Sequence, residues 1–319
     1  MTEMQYLPVG NTGLRISVLG LGGAALSGLY GPVPEEQALA TVQATLTSGL
    51  NFFDTAPIYG RGTSEQRLGR ALNGVPRENY VLATKVGRLI SPDQRFSADY
   101  TADGVRRSLE ESLKRLNLER VDILHIHDAD AEEHFRAALD QAFPALAELR
   151  RQGVIRAIGA GMNQWQRPAQ FLAHADFDCF LVASRYTLLE HESLGFLDTC
   201  QARNVRVFLG GVFNTGILAT GAVAGAKYNY RDAPPEIMAR VGRIEQVCGR
   251  YCIPIRAVAL QFPLAHPATS VIAGMHSAEE VMENTLLMRL PIPGELWADL
   301  KAEDLLPANV PIPVQSAAS

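Results

Sequence analysis

LNFFDTAPIYGRGTSEQRLGRALNGVPRENYVLATKVG, residues 50–87, passes from a short apolar run through a polar turn and an amphipathic stretch to a second apolar run. Near-continuous apolar runs suit strands buried on both faces, and "SEQRLGRALNG" between them suits a helix covering one face. Strand, helix and strand in that order predict parallel pairing, because the crossover brings the chain back to the edge where it started.

The same unit recurs in both directions. The runs "ISVLGLG", "LNFFD", "YVLATKV", "VDILHIH", "VIRAIGAG", "FDCFLVAS", "VRVFLGG" and "TSVIAGM" alternate with amphipathic stretches such as "EEQALATVQATLTSG", "ADGVRRSLEESLKRLN" and "FRAALDQAFPALAELRRQG". Eight such units in 319 residues predict an α/β fold, a (β/α)8 barrel, with an open doubly wound sheet as the alternative. No linker or shift of composition divides the chain before its Pro-rich tail, so a single domain over residues 1–319 is expected. Ahead of the first barrel strand, "QYLPVGNTGLRIS" predicts a hairpin capping the barrel floor. After the seventh, the Gly-rich "GVFNTGILATGAVAGAKYNYRDAPP" has no clear period and predicts a long loop at the C-terminal rim, where active sites of such barrels assemble.

Composition narrows the function classes. A net charge of −5 leaves no basic footprint for nucleic acid. The start "MTEMQYLPVG" lacks the basic leader and apolar core of a signal peptide, and no run of about 18 apolar residues could span a bilayer, so no membrane partner and a cytoplasmic location are expected. Cys179, Cys200, Cys248 and Cys252 are too scattered for a disulfide framework and read as buried thiols, the last two in one helix.

Polar residues at strand ends carry the chemistry in a barrel. Asp54 ends the second strand, with Tyr59 in the loop after it; Lys85 closes the third and His127 the fourth. Singly, each has a bland explanation as a cap, a packing ring or a solvated charge. Together they suit proton transfer to or from a carbonyl or alcohol oxygen. A cation lowers the pKa of a phenol, Asp54 would hold Lys85 charged beside Tyr59, and His127 would orient the substrate oxygen. Hydride chemistry would need a cofactor.

These positions, with "FFDTAPIYGRGTSEQRLGRAL", "VLATKVG" and "VDILHIHD" around them, resemble the aldo-keto reductase family from about residue 5 to about residue 290. The resemblance implies a (β/α)8 barrel, a nicotinamide cofactor extended across the rim, and hydride transfer at a carbonyl with Asp54, Tyr59, Lys85 and His127 as the tetrad. It also assigns cofactor contacts. Asn163 matches the family's carboxamide-binding Asn, although Met162 stands where a Ser usually precedes it. Ala183 stands in place of the usual Gln and Gly210 in place of the usual stacking aromatic, for which Phe213 is the candidate replacement. "AGMHSAEEVMENTLL", from Ala273, resembles the adenosine-phosphate site, giving Gly274, His276, Glu280, Glu283 and Asn284. Relatives that prefer NADP carry an Arg where this chain has Glu280, and a carboxylate there favours NAD by repelling a 2′-phosphate and accepting from a ribose hydroxyl.

Asp128, beside His127, suits the hydroxyls of a polyol-like substrate, and Tyr30, Phe96 and Trp165 are candidate pocket walls with Phe213. With "RYTLLE", "GVFNTGIL" and "KYNYRDAPPEI", the segment resembles the branch that oxidises aldoses such as L-fucose, D-arabinose and L-galactose at C1 and that includes pyridoxal 4-dehydrogenation. In that reading Tyr59 accepts the hydroxyl proton as hydride leaves for NAD, and the product is a lactone. Alternatives of another class are a metal-dependent hydrolase using His125 and His127 and a non-catalytic nicotinamide-binding regulator. The G-x-G-x-x-A spacing of Gly20, Gly22 and Ala25 reads as a close turn at the rim, since no helix starts at the glycines.

Overall fold

Residues 4–29, 31–91, 93 and 95–313 are described by the structure, a computed structural model. The chain opens with an antiparallel hairpin of β1 (Tyr6–Pro8) and β2 (Arg15–Ser17). Eight parallel strands then close a barrel in chain order. They are β3 (Leu19–Gly22), β4 (Phe52–Asp54), β5 (Val81–Val86), β8 (Ile123–His127), β9 (Ala157–Met162), β10 (Cys179–Ala183), β11 (Arg206–Gly210) and β14 (Thr269–Gly274), the last pairing back on β3. Two hairpins stand on the rim: β6 (Arg88–Ile90) with β7 (Phe96–Ala98), and β12 (Lys227–Tyr228) with β13 (Arg231–Asp232).

The helices α1 (Glu35–Thr47), α2 (Thr63–Leu72), α3 (Ala102–Leu116), α4 (Glu132–Ala137), α5 (Phe143–Arg151), α6 (Gln166–His174), α7 (Leu194–Ala202), α8 (Ile217–Thr220), α9 (Pro235–Arg250), α10 (Ile255–Gln261), α11 (Ala278–Arg289) and α12 (Gly294–Ala302) complete the chain. Among the described residues no helix is long and apolar enough to cross a membrane.

Strand alternation builds two cores. Inward residues Phe52, Val81, Ala83, Ile123, Ala157, Cys179, Phe208 and Ile272 fill the barrel, and Val9, Leu14 and Ile16 of the hairpin seal its floor. Outward residues such as Phe53, Leu82, Leu124, Ile158 and Phe180 meet the helices in the larger cluster. At the top of the barrel the same alternation places Asp54, Lys85 and His127 on the inward side. Small neighbours make the room: a methyl group on Gly159 would sit 2.1 Å from His125 Nδ1, so only Gly admits that ring.

Several expectations are corrected. The run "ISVLGLG" is two strands, its first residues joining the hairpin and Leu19 onward the barrel. The stretch "FRAALDQAFPALAELRRQG" is interrupted by a π-helical turn at Ala138–Ala142, because Pro144 supplies no N–H to the ladder and crowds the carbonyl four residues back. The loop after β11 is organised, holding α8 and the β12–β13 hairpin. Cys252 lies beyond α9 with φ 55 and is exposed, whereas Cys179, Cys200 and Cys248 are buried as expected.

Candidate active site

Three barrel strands bring the proton-transfer group together. The Lys85 ammonium donates to both oxygens of Asp54 at 2.7 and 2.9 Å and to the Thr55 carbonyl at 2.7 Å, and it lies 4.7 Å from the centre of the Tyr59 ring. The Tyr59 and His127 rings meet edge to face with centroids 6.1 Å apart. Asp54, Lys85 and His127 are buried, while Tyr59, on the loop after β4, is half-buried at the cavity wall.

Electrostatics distinguish the four groups. Burial alone would lower the Lys85 ammonium, yet the charge of Asp54, aided by Tyr59 and the direct bonds, holds it above its ordinary value, so it stays a cation. Burial raises Asp54 against the opposing pull of Lys85. Burial also pushes the Tyr59 phenol above its ordinary range, with Asp54 and Asp128 adding to the push, and Lys85 only partly offsets it. The expectation that Lys85 makes Tyr59 more acidic is thus correct for that one interaction, and the net direction is the reverse, because desolvating a phenolate costs more than one shared ammonium returns. His127 is held well below its ordinary value by burial first and then by Lys85, Arg88 and His125, so its imidazole is neutral near pH 7.

A cavity of about 660 Å³ connects this corner to the start of α11, a size suited to a sizeable organic ligand. Asp54, Tyr59, Lys85, His127, Asp128, Asn163, Phe213, Gly274, His276 and Glu280 line it, so ten of the predicted residues share one wall. Met162, Ala183 and Gly210 line it too. The two small residues leave space, for a methyl group on Gly210 would come no nearer than 3.9 Å to any neighbour.

The remaining predicted residues are placed elsewhere. Glu283 stands behind the wall, pairing at 2.6 Å with Arg256, which lines the cavity and lies over the Phe213 ring at 5.7 Å. Asn284 is buried beside it, and neither atom of its amide has a partner among the described residues. Phe96 is half exposed on its rim hairpin beneath the Arg61 guanidinium, and Trp165 packs on the outer core at the start of α6; neither reaches the cavity. Neither lines the cavity, which corrects both as pocket walls. Tyr30 lies outside the described residues.

Asp128 is present in the wall but not as a lone acceptor, because Arg88 Nη1 donates to its Oδ2 at 2.6 Å. Sequence reasoning missed Arg88, Leu29, Ser184, Tyr230 and Arg256, all of which line the cavity. Ser184 directly follows β10 and closes the run "FDCFLVAS", a strand-end signal that could have found it; Leu29 and Arg256 belong to no such pattern, and Arg88 and Tyr230 come from rim hairpins whose orientation no periodicity reports.

His125 and His127 do share the inward side of β8, as a metal site would require. Among the described residues no group of three or more His, Cys, Asp or Glu side chains converges to hold an ion. His125 is buried with neither ring nitrogen partnered among the described residues, and its ring packs edge-on to Phe208 at 5.8 Å.

The residues present fit a dinucleotide. Asn163 is exposed at the end of β9 where its amide reaches the cavity, and the unpartnered Asn284 amide lies near the opposite end. The N-terminus of α11, capped by Ser277, lies at that end, where His276 and Glu280 line the cavity, and a helix N-terminus suits phosphate. Glu280 accepts from the His276 amide at 2.7 Å, which fixes its carboxylate at the wall.

Comparison with known proteins follows the same lines. Residues 18–304 match the model of the aldo/keto reductase family. The chain is 39% identical to pyridoxal 4-dehydrogenase of Microbacterium luteolum, over 93% of this chain and 97% of that protein. It is 35% identical to D-threo-aldose 1-dehydrogenase of a Pseudomonas species, over 92% and 96%, and 34% identical to L-galactose dehydrogenase of Arabidopsis thaliana, over 89% and 88%. Among solved structures, an aldo-keto reductase of Bacillus halodurans in its holo form superposes with a TM-score of 0.81 at 25% identity, covering 97% of this chain and 98% of the other.

Proposed function

The chain belongs to the aldo/keto reductase family, whose members are oxidoreductases that use nicotinamide cofactors, and from that premise we propose that it oxidises the hydroxyl of a cyclic hemiacetal to a lactone with NAD. An aldose oxidised at C1 is the substrate we favour. The observation that carries the reading is the Lys85 ammonium, bonded to Asp54 and set under the Tyr59 ring in the cavity that also holds His127 and Glu280. The names of the relatives support it, since two of the three compared are sugar dehydrogenases.

Each residue has a separate task. Tyr59 takes the hydroxyl proton, and Lys85 stabilises the phenolate that must be present to take it. Asp54 keeps Lys85 charged and in place. His127, neutral, donates to the substrate oxygen and fixes it beside the phenol. A nicotinamide bound there would supply the hydride acceptor. Asn163, Phe213 and Gly274 would hold it with His276 and Glu280, backed by Glu283 through Arg256 and by Asn284. Glu280 supports NAD over NADP, because a carboxylate opposes a 2′-phosphate.

Pyridoxal in its hemiacetal form is the second reading, favoured by the 39% identity to a pyridoxal 4-dehydrogenase. A single assay tests both: formation of reduced nicotinamide over a panel of aldoses plus pyridoxal, with NAD and NADP, and Tyr59→Phe as the control. Turnover that the Phe variant retains within tenfold would remove Tyr59 from the proton path, since a general base contributes about 10²–10⁴-fold.

A further inference from the structure

Opposite charges are seldom placed in a substrate cavity without a task, and here they stand beside the reacting corner. Arg88 opens the β6–β7 hairpin directly above β5, and Asp128 follows His127. Asp128 sits at φ 47, with its amide bonded to the Gly161 carbonyl at 3.0 Å. Tyr100 braces both segments. Its hydroxyl donates to the carbonyls of His127 and Asp128 at 2.7 and 3.0 Å, and its ring lies over Gly87, where a methyl group would come within 2.2 Å of it. The Arg88–Asp128 pair is therefore held on a rigid mount.

The geometry of the pair leaves bonding capacity over. Arg88 Nη1 uses Asp128 Oδ2, and the same oxygen lies 3.7 Å from His127 Nε2. Among the described residues, Arg88 Nη2 and Asp128 Oδ1 take no hydrogen bond of their own. A guanidinium keeps its donors in a fixed fork and a carboxylate accepts at both oxygens. Beside the atom that would fix the reacting oxygen, the wall thus offers one donor and one acceptor together. A hydroxyl, which is both, answers that pair; an ether or a methylene does not.

We propose that Arg88, acting with Asp128, is a specificity-determining residue that reads the oxygen on the carbon neighbouring the reacting one. Its ligand class is a 2-hydroxy cyclic hemiacetal, Asp128 accepting from the 2-hydroxyl and Arg88 donating to the same oxygen or the next. The proposal rests on the lactone-forming reading. Arg88 is a substrate contact in it and takes no part in proton transfer. The side chains are 36% and 15% exposed, so removing Arg88 leaves a largely buried carboxylate without its partner, and the variants are compared only where the folding check shows the native fold.

The test compares kcat/KM for aldoses and their 2-deoxy counterparts in wild type, Arg88→Met and Arg88→Lys, with near-UV circular dichroism as the folding check. Wild type is expected to prefer the 2-hydroxy sugar by at least about tenfold, since a site built to bond a hydroxyl rejects the analogue lacking it. Arg88→Met should lower kcat/KM for the 2-hydroxy sugar about 10–100-fold, mainly through KM, and for the 2-deoxy sugar by no more than about threefold. Arg88→Lys, which keeps charge and loses the fork, should fall between. Equal losses on both sugars would overturn the proposal and leave the pair as a support for His127. If wild type oxidises pyridoxal alone, the proposal is overturned, because the hemiacetal carbon of pyridoxal is bonded to a ring carbon that bears no oxygen. Turnover of neither class would overturn the lactone-forming reading first, and this assignment with it.

Discussion

Tyr59 is the residue whose state controls the proposed reaction. Burial, Asp54 and Asp128 hold its phenol above the ordinary range, and Lys85 opposes them. Oxidation needs the phenolate, so kcat/KM for oxidation should climb about tenfold per pH unit across the neutral and alkaline range, the slope expected of one required deprotonation. The sign for Asp128 follows from its charge: Asp128→Asn removes an anion that disfavours the phenolate, so the limb should move to lower pH. A pH–rate profile that stays in place after that substitution would show that Asp128 does not act on Tyr59. His127 should add no acidic limb near pH 6.5, because its imidazole is held neutral well below that value.

Elements hold the site in place from behind. Glu65 of α2 is fully buried, accepting from Thr84 at 2.6 Å and from Arg115 of α3 at 2.6 Å. Thr84 precedes Lys85 on β5, so this network clamps both helices to the strand that carries the ammonium. Removing one partner of a buried pair leaves the others uncompensated, and Glu65→Ala should lose about 3–5 kcal/mol in urea unfolding. The exposed Arg70–Glu35 pair is the internal comparison: Glu35→Ala should cost less than about 1 kcal/mol. Similar losses for the two would mean that the buried network is not what joins α2 and α3 to the barrel.

At the scale of the molecule, closure of β14 on β3 brings the last part of the chain beside the first. One cavity then runs from Tyr59 and His127, contributed by the first half, to His276 and Glu280, contributed by the second. A dinucleotide bound along it would tie the halves together, and binding to the folded state alone adds about 2.7 kcal/mol at a hundredfold excess over Kd. NAD should therefore raise Tm more than NADP at equal concentration, and Glu280→Gln should narrow the gap. Equal shifts for both nucleotides in wild type would remove Glu280 as the discriminator. We propose that the chain is one domain, built on the barrel that runs from Leu19 to Gly274.

Period and strand-end chemistry were enough to place the barrel, its floor hairpin and the convergence of Asp54, Lys85 and His127, because alternation along a parallel strand is a local property that fixes which residues face inward. Only the tertiary structure decided the rest. Phe96 and Trp165 read as pocket walls, yet Phe96 lies under the Arg61 guanidinium and Trp165 packs on the outer core, contacts set by tertiary packing that no nearby residue encodes. Asp128 read as suited to substrate hydroxyls, and its pairing with Arg88, forty residues away across the rim, appeared only in the fold. The sign of the Tyr59 shift likewise depended on desolvation, which exists only once eight strands and their helices have excluded water from the group.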